Sequence, residues 1–284
     1  MNHPAEMMIH QYLQNASKGE TAMSSETIEQ VASDIKDALN RQFNSTKDKD
    51  FKFRMSNIGR PSCQLWYEKN KPETAIPRPT TFVMNMMIGD IVEAVFKAIL
   101  RSAKVDFEDS DTVSLDIDKD NTISGTYDLV MDGAVDDIKS ASDWSYKYKF
   151  DSYETLHSGD SFGYVGQLAG YAKASNKKAG GWWVVNKANG QFKYVPAHIE
   201  MDKEIDKIKK NIKSAESDKL VRCFEPEPET FRGKPTGNMV LSKNCTFCSY
   251  RQDCWETLEE LPSQMSQAKE PKMVQYVKLE RRKA

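Results

Sequence analysis

Two features of membrane-inserted or exported proteins are missing from this sequence. It contains no apolar run of about 18 residues, which is the length that a transmembrane helix needs. The first twenty residues, MNHPAEMMIHQYLQNASKGE, lack the basic segment followed by an apolar segment that marks a signal peptide. We therefore expect a cytoplasmic protein that does not insert into a membrane, located in the host cytoplasm if a phage encodes it.

The sequence also lacks a large charge excess and a dense set of cysteines. The net charge is −2, which neither indicates nor excludes a polyanionic partner, because local patches matter more than the sum. In a reducing compartment, the five cysteines suit free thiols or metal ligands better than disulfides. With 29% charged and 39% hydrophobic residues over 284 positions, the chain is typical of a soluble protein with one large or two small domains.

The hydrophobic pattern divides the chain into three predicted parts. Residues 1–50 are polar and contain one amphipathic helix at 24–43, so we expect a helical extension and linker there. Residues 263–284 are expected to form a basic, mobile tail. Residues 51–262 carry the predicted folded domain, with helices at 81–103, 161–175 and 199–217, strands within 112–142, and a buried strand at 180–187. This order predicts an α/β fold with a mixed central sheet flanked by helices.

Two acids and a lysine flank a predicted hairpin in the segment GTYDLVMDGAVDDIKSAS. Its DG pair predicts the turn, and Asp128 and Asp137 lie at similar distances on either side of it. Two adjacent carboxylates repel each other unless a cation shares the site, and Mg²⁺ or Mn²⁺ suits such oxygen ligands. Lys139 shares the strand face of Asp137, so its ammonium can orient a water or stabilise charge on a phosphate. The set suits metal-dependent phosphodiester hydrolysis; solvated strand charges are the alternative.

The hairpin resembles the core of the PD-(D/E)XK nuclease superfamily, which is G-x-x-D, a hairpin and then D/E-x-K. Gly125 and Asp128 match the first element, and Asp137 and Lys139 match the second. Asp136, the neighbour of Asp137, lies outside the D-x-K register. The resemblance implies a restriction-endonuclease-like mixed sheet and a nuclease in which Lys139 positions or activates the attacking water.

Two predicted helices extend the resemblance to the RecB-like branch of that superfamily. IGDIVEAVF carries Glu93 after a glycine, and GQLAGY carries Gln167 and Tyr171 at i and i+4, on one helix face. Glu93 stands where many relatives have a histidine that is associated with exonucleases, and Tyr127 replaces the proline of the family name. The resemblance implies that Gln167 and Tyr171 support the active site and the bound strand. The metal ligands that it implies are Glu93, Asp128, Asp137 and the backbone carbonyl of Ile138.

Four of the cysteines have a spacing that suits a metal centre. Cys245, Cys248 and Cys254 form C-x₂-C-x₅-C, and Cys63 precedes the predicted core. Both iron–sulfur clusters and structural zinc sites take four cysteine thiolates, so the spacing alone leaves both open. A distant N-terminal cysteine followed by this C-terminal motif resembles the iron–sulfur nucleases of the RecB-like branch. It implies a [4Fe–4S] cluster that staples the segments on either side of the core, with Zn²⁺ as the alternative and Cys223 as a free thiol.

Directly after Lys139, the segment KSASDWSYKYKF alternates lysines with aromatic residues. Aromatic rings that stack on bases and lysines that contact phosphates suit single-stranded DNA. The alternative is a strand with packed rings and solvated lysines. The candidate nucleic-acid-binding residues are Trp144, Tyr146, Lys147, Tyr148 and Lys149.

Taken with the resemblance, these motifs predict a Mg²⁺- or Mn²⁺-dependent DNA nuclease. Its expected reaction is exonucleolytic cleavage of single-stranded DNA in recombination, repair, phage DNA metabolism or spacer acquisition. Its expected partners are DNA and recombination, replication or CRISPR-adaptation proteins. Three alternatives stay open: a structure-specific endonuclease, a catalytically silent DNA-binding or assembly protein that keeps the fold, and a zinc-stapled structural module.

Overall fold

The computed structural model describes residues 3–44 and 50–280. Its α-helices are α1 Pro4–Ser17, α2 Ser25–Leu39, α3 Ser62–Asn70, α4 Thr81–Ser102, α5 Tyr153–Ser158, α6 Tyr164–Ala174, α7 Met201–Ala215 and α8 Arg251–Cys254. Its strands are β1 Thr112–Asp116, β2 Thr122–Thr126, β3 Leu129–Met131, β4 Ala134–Ala141, β5 Lys178–Asn186, β6 Phe192–Pro196, β7 Glu227–Phe231, β8 Lys234–Val240, β9 Glu259–Pro262 and β10 Met273–Lys278. No helix among the described residues is long and apolar enough to cross a membrane.

The chain divides into two compact units, each built from two segments. The first takes Met1–Gly59 and Pro79–Lys209, and the second takes Arg60–Arg78 and Lys210–Ala284. These units differ from the predicted division at residues 50 and 262. Sequence order alone does not show that the segment containing α3 groups with the C-terminal part of the chain.

The first unit contains a four-stranded sheet in the order β3-β4-β5-β6. β4 and β5 are parallel, whereas β3–β4 and β5–β6 are antiparallel. The α5–α6 segment connects the two parallel strands, so the predicted mixed sheet in an α/β protein is confirmed. The sequence prediction treated residues 122–131 as one continuous strand. The structure divides it into β2, which pairs with β1 in a separate sheet, and β3.

The turn between β3 and β4 is the predicted one. Asp132 and Gly133 both have positive φ, at 52° and 72°, as a two-residue type I′ turn requires. This turn sets the register Leu129↔Asp136 and Val130↔Val135. The hairpin therefore fixes which residues of the two strands face each other.

The N-terminal helix is part of the core of the first unit. Ile9 of α1 is fully buried in a cluster with Phe96 and Leu100 of α4 and Trp183 of β5. The buried carboxylate of Glu6 accepts a 2.7 Å hydrogen bond from the backbone N–H of Tyr194. The sequence predicted that residues 1–50 form an extension outside the folded domain. In the structure, α1 instead packs on the β3–β6 sheet as part of the first unit.

The second unit contains another four-stranded sheet, in the order β7-β8-β10-β9. Its strand β10 lies inside the segment that was predicted to be a mobile tail. Tyr276 of β10 is 1% exposed, and its hydroxyl donates a 3.0 Å hydrogen bond to Glu229. The tail prediction is therefore wrong for residues 273–278, which pair antiparallel with β8 and β9.

Candidate active site

The β3–β4 hairpin brings the two predicted acids together. Asp128 directly precedes β3, and extending the strand register by one residue places it opposite Asp137 of β4. The backbone N–H of Ile138 donates a 2.6 Å hydrogen bond to Oδ2 of Asp128. Asp137 is 3% exposed, whereas Asp128 is half-buried.

The charges of three acids interact at this site. Burial raises the pKa of Asp128, and the charges of Asp137 and Glu93 raise it further, which outweighs the opposing effects of Lys139 and the Ile138 N–H. The pKa of Asp137 is also raised, by burial and by Glu93, although Lys139 opposes this. A protein gains no stability from burying several carboxylates together without enough positive charge to offset them. A divalent cation would supply the missing charge.

Lys139 is the closest positive charge to Asp137. Its Nζ donates a 2.8 Å hydrogen bond to Oδ1 of Asp137 and lies 2.6 Å from Oδ2. Within the described residues Oδ2 accepts no hydrogen bond, because its contact with Nζ is an ion pair of poor hydrogen-bond geometry. Burial lowers the pKa of Lys139, but the charges of Asp137 and Asp128 raise it by more. Lys139 is therefore an ammonium near neutral pH, so it suits a role as donor to water or phosphate rather than as base.

Glu93 approaches the pair from α4, and a residue that the sequence reasoning missed accompanies it. Lys97, one turn further along α4, has a side chain that is 6% exposed. Its Nζ lies 3.0 Å from Glu93 and 3.3 Å from Asp109. Burial lowers the pKa of Lys97, but Glu93 and the charge of Asp128 raise it by more. The i,i+4 spacing of Glu93 and Lys97 was the signal in the sequence.

Helix α6 places Gln167 and Tyr171 beside the acids. Their side chains are hydrogen-bonded, and burial, with the charges of Asp137 and Asp128, raises the pKa of Tyr171 to about 12. Tyr171 is therefore a neutral phenol at this site. The glycine of G-x-x-D has a packing role here, because a Cβ on Gly125 would lie 2.6 Å from Met55 and 3.0 Å from the Tyr171 ring.

The donor set fits a hard divalent ion in chemistry. Asp128, Asp137 and Glu93 offer carboxylate oxygens, which Mg²⁺ and Mn²⁺ prefer. Over residues 3–44 and 50–280, no three acidic, cysteine or histidine side chains are already arranged to hold a metal ion. The carbonyl of Ile138 stays a predicted ligand.

The aromatic and lysine-rich segment after β4 is not a strand. Residues Ser145–Lys149 form one turn of π-helix, which excludes the alternative of a strand with packed rings. Trp144 and Tyr148 are 65% and 59% exposed, whereas Tyr146 is half-buried under the ammonium of Lys193. Lys147 is ion-paired with Asp143 at 2.8 Å. Trp144 and Tyr148 thus present ring surface to solvent.

All five cysteines belong to the second unit and are free thiols. Burial and the neighbouring thiols of Cys248 and Cys254 raise the pKa of Cys245 to about 12, and the charges of Cys63 and Cys248 also interact. The charges of the four predicted ligands thus act on one another, but among the described residues no three of them are already placed to hold a metal ion. Four thiolates would fit either an iron–sulfur cluster or zinc.

Cys223, predicted to be a free thiol outside the ligand set, lies against Cys63. The backbone N–H of Cys63 donates a 3.1 Å hydrogen bond to Sγ of Cys223, and the Ser62 hydroxyl lies 3.3 Å from the same sulfur. No sequence motif marked this contact, because Cys223 lies 160 residues from Cys63 and outside the C-x₂-C-x₅-C spacing.

No family model and no curated protein sequence matches this chain. Among solved structures, the chain is similar to SSO0001, with 14% sequence identity and a TM-score of 0.41. The matched region covers 63% of this chain and 83% of that chain. A similarity of this size supports no conclusion about the fold or the activity.

Proposed function

We propose that this protein is a Mg²⁺- or Mn²⁺-dependent nuclease that hydrolyses phosphodiester bonds in DNA. One observation carries the proposal: half-buried Asp128 and buried Asp137 lie opposite each other on a hairpin with interacting charges, while Lys139 binds Asp137. Placing two carboxylates side by side in a shielded site lowers the stability of the folded protein. A bound cation would offset that repulsion, and such sites are often functional. In this proposal, the β3–β6 sheet is the restriction-endonuclease-like core that the G-x-x-D and D-x-K motifs indicate.

The residues of the chain have separate roles in the proposed reaction. Asp128, Asp137 and Glu93 would hold the divalent ion, which supplies Lewis acidity and a polarised water when bound. The Lys139 ammonium would donate to the attacking water or to a non-bridging phosphate oxygen, where negative charge grows. Tyr171, kept neutral and hydrogen-bonded to Gln167, would hold the position of α6 beside the acids. Single-stranded DNA is the proposed substrate, and exonucleolytic cleavage is the proposed mode.

The second unit has a structural role in the same proposal. Cys63, Cys245, Cys248 and Cys254 would bind a [4Fe–4S] cluster, or Zn²⁺ as the alternative, and so tie α3 to the C-terminal segment. The tie would lower the entropy of the unfolded chain and stabilise this unit. Elemental analysis of anaerobically purified protein distinguishes iron from zinc.

The proposal is tested by cleavage of end-labelled single-stranded DNA with Mn²⁺. The panel comprises wild type, Lys139→Ala, Asp128→Asn and, as a control, Lys119→Ala at an exposed position between β1 and β2. We expect wild type and the control to cleave equally and the other two to lose activity by roughly 100-fold or more. Release of single labelled nucleotides indicates an exonuclease and its polarity, whereas internal products indicate an endonuclease.

Two outcomes contradict the nuclease proposal. Equal cleavage by all four proteins means that a contaminant is responsible. No cleavage by folded wild type that nevertheless binds DNA favours the silent DNA-binding protein.

A further inference from the structure

An exposed aromatic ring lies close to the proposed catalytic lysine, outside every motif noted in the sequence. Phe162, just before α6, is 44% exposed. Its ring stacks on Tyr164, with centroids 5.7 Å apart and planes inclined by 10°. Tyr164 stacks in turn on the buried ring of Phe150 at 5.8 Å. We refer to Phe162 and Tyr164 as the aromatic platform, which Phe150 anchors to the core.

A lysine lies on this platform. The Nζ of Lys149 is 4.3 Å from the ring centroid of Phe162 and 4.5 Å from that of Tyr164, which is cation–π distance. Burial lowers the pKa of Lys149, and the charge of Asp160 opposes this, but in the described part of the chain Lys149 forms an ion pair with no carboxylate. Its positive charge therefore stays available to an anion that approaches the platform.

The platform is continuous with the candidate active site. The Nζ of Lys139 lies 5.2 Å from the centroid of Tyr164, so Tyr164 lies between the two lysines. The N-terminal end of α6 is fixed by Asp160, which accepts hydrogen bonds of 2.9 Å and 3.0 Å from the N–H groups of Gly163 and Tyr164. The exposed ring is thus held in place rather than carried on a loose loop.

We propose that Phe162 and Lys149 form a binding subsite for single-stranded nucleic acid next to the scissile phosphate. An unpaired base would stack on the Phe162 ring, and Lys149 would contact the adjacent backbone phosphate. Stacking on an aromatic ring tolerates any base but requires that the base be unpaired, so the subsite would select single strands over duplexes. This inference rests on the proposed function, since Lys139 identifies the position of the reacting phosphate.

The test measures binding in EDTA, where cleavage cannot occur, by fluorescence anisotropy of a labelled oligothymidylate. Phe162→Leu keeps an apolar side chain without a ring, Phe162→Trp keeps a ring, and Lys149→Gln removes the charge. Phe43→Leu is the matched control, since Phe43 is 60% exposed on the turn after α2. Melting temperatures establish that each variant is folded.

We expect Phe162→Leu to weaken binding roughly tenfold and Phe162→Trp and Phe43→Leu to bind like wild type. Lys149→Gln should weaken binding. It should also reduce the magnitude of the slope of log K against log salt by the amount that about one phosphate contact contributes. Duplex DNA of the same length should bind weakly and without dependence on Phe162. A single strand of RNA that binds with the same Phe162 dependence supports the subsite and identifies RNA as a ligand.

Unchanged affinity of Phe162→Leu, or equal Phe162 dependence with duplex DNA, overturns the subsite. The two proposals fail separately. Wild type that cleaves while Phe162→Leu binds normally disproves the subsite and leaves the nuclease. Wild type that never cleaves but loses binding through Phe162→Leu disproves the nuclease and leaves the subsite.

Discussion

The backbone N–H of Ile138 donates a 2.6 Å hydrogen bond to Oδ2 of Asp128. This bond crosses from β4 to the residue before β3 and holds one oxygen of Asp128 in place. It does not relieve the repulsion between Asp128 and Asp137, and the pKa of Asp128 stays well above its ordinary value because of burial and that repulsion. The hairpin therefore holds the acids in position at a cost in stability, which is typical of a functional site.

The first prediction concerns Asp128→Asn. The amide keeps an oxygen that can accept the Ile138 N–H and removes one of the repelling charges. At pH 8 in EDTA we expect the variant to be more stable than wild type, by about 1 kcal/mol. Mn²⁺ should raise the melting temperature of wild type but not that of the variant. Differential scanning fluorimetry with and without Mn²⁺ measures both effects, and an equal Mn²⁺ shift in the two proteins would remove Asp128 from the metal site.

The second prediction concerns pH. Burial raises the pKa of Asp136 to about 7, against the lowering effect of hydrogen bonds from Tyr194 and Trp183. Between pH 4 and pH 7 the folded state therefore binds a proton that the unfolded state has released. The stability that this proton contributes is fully present below about pH 4 and is lost as the pH rises through 7, with a total on the order of 4 kcal/mol.

Asp136→Asn should remove this part of the pH dependence. Urea unfolding of wild type and variant at pH 4.5, 6 and 8 measures the difference between them, and we expect the variant to gain stability relative to wild type as the pH rises. The dependence that Asp128 contributes is present in both proteins and cancels, and loss of the repulsion between Asp136 and Asp137 acts in the same direction as the expected gain. A constant difference across the three pH values would contradict the assignment.

The third prediction concerns Lys97, whose buried ammonium neutralises Glu93. Lys97→Met should lower the metal-free stability by about 2 kcal/mol, less than for a fully buried pair because Glu93 is partly exposed. The same change should tighten Mn²⁺ binding, since a competing cation beside a proposed ligand is lost. Titration followed by electron paramagnetic resonance measures free Mn²⁺, with Lys173→Met at an exposed position of α6 as the control. Weaker Mn²⁺ binding by Lys97→Met would mean that Glu93 is not a ligand.

The fourth prediction separates the cysteines. Cys248→Ser should lose the bound metal and lower the melting temperature, because it removes one of the four proposed ligands. Cys223→Ser should retain the metal, since Cys223 touches Cys63 without being needed as a ligand. Iron and zinc content is measured on anaerobically purified protein. Full metal content and an unchanged melting temperature in Cys248→Ser would contradict the staple, and equal metal loss in both variants would make Cys223 a ligand.

The sequence predicted those elements whose signals are local. The Asp132-Gly133 turn, the long helix α4 and the strand β5 each have turn chemistry or periodicity that a short window contains. The acid pair followed from the hairpin register, which the turn alone sets. Gln167 and Tyr171 were predicted as site residues because they match a motif whose i,i+4 spacing places both on one face of a helix.

The elements that were missed depend on contacts between distant parts of the chain. No motif in α1 marks it as part of the core, because its place there depends on the packing of Ile9 with Phe96 and Trp183 and on the hydrogen bond from Tyr194 to Glu6. Strand β10 is defined by its pairing with β8 and β9. The contact of Cys223 with Cys63 and the approach of Tyr164 to Lys139 likewise join residues that no local spacing relates.

The central claim is tested most directly by comparing two neighbouring acids in one cleavage assay. Asp136 and Asp137 are adjacent in β4, but Asp136 is hydrogen-bonded to Trp183 and Tyr194, whereas Asp137 is bound to Lys139. We predict that Asp136→Asn cleaves end-labelled single-stranded DNA with Mn²⁺ as wild type does and that Asp137→Asn does not. Cleavage by Asp137→Asn at the wild-type rate would contradict the proposed active site.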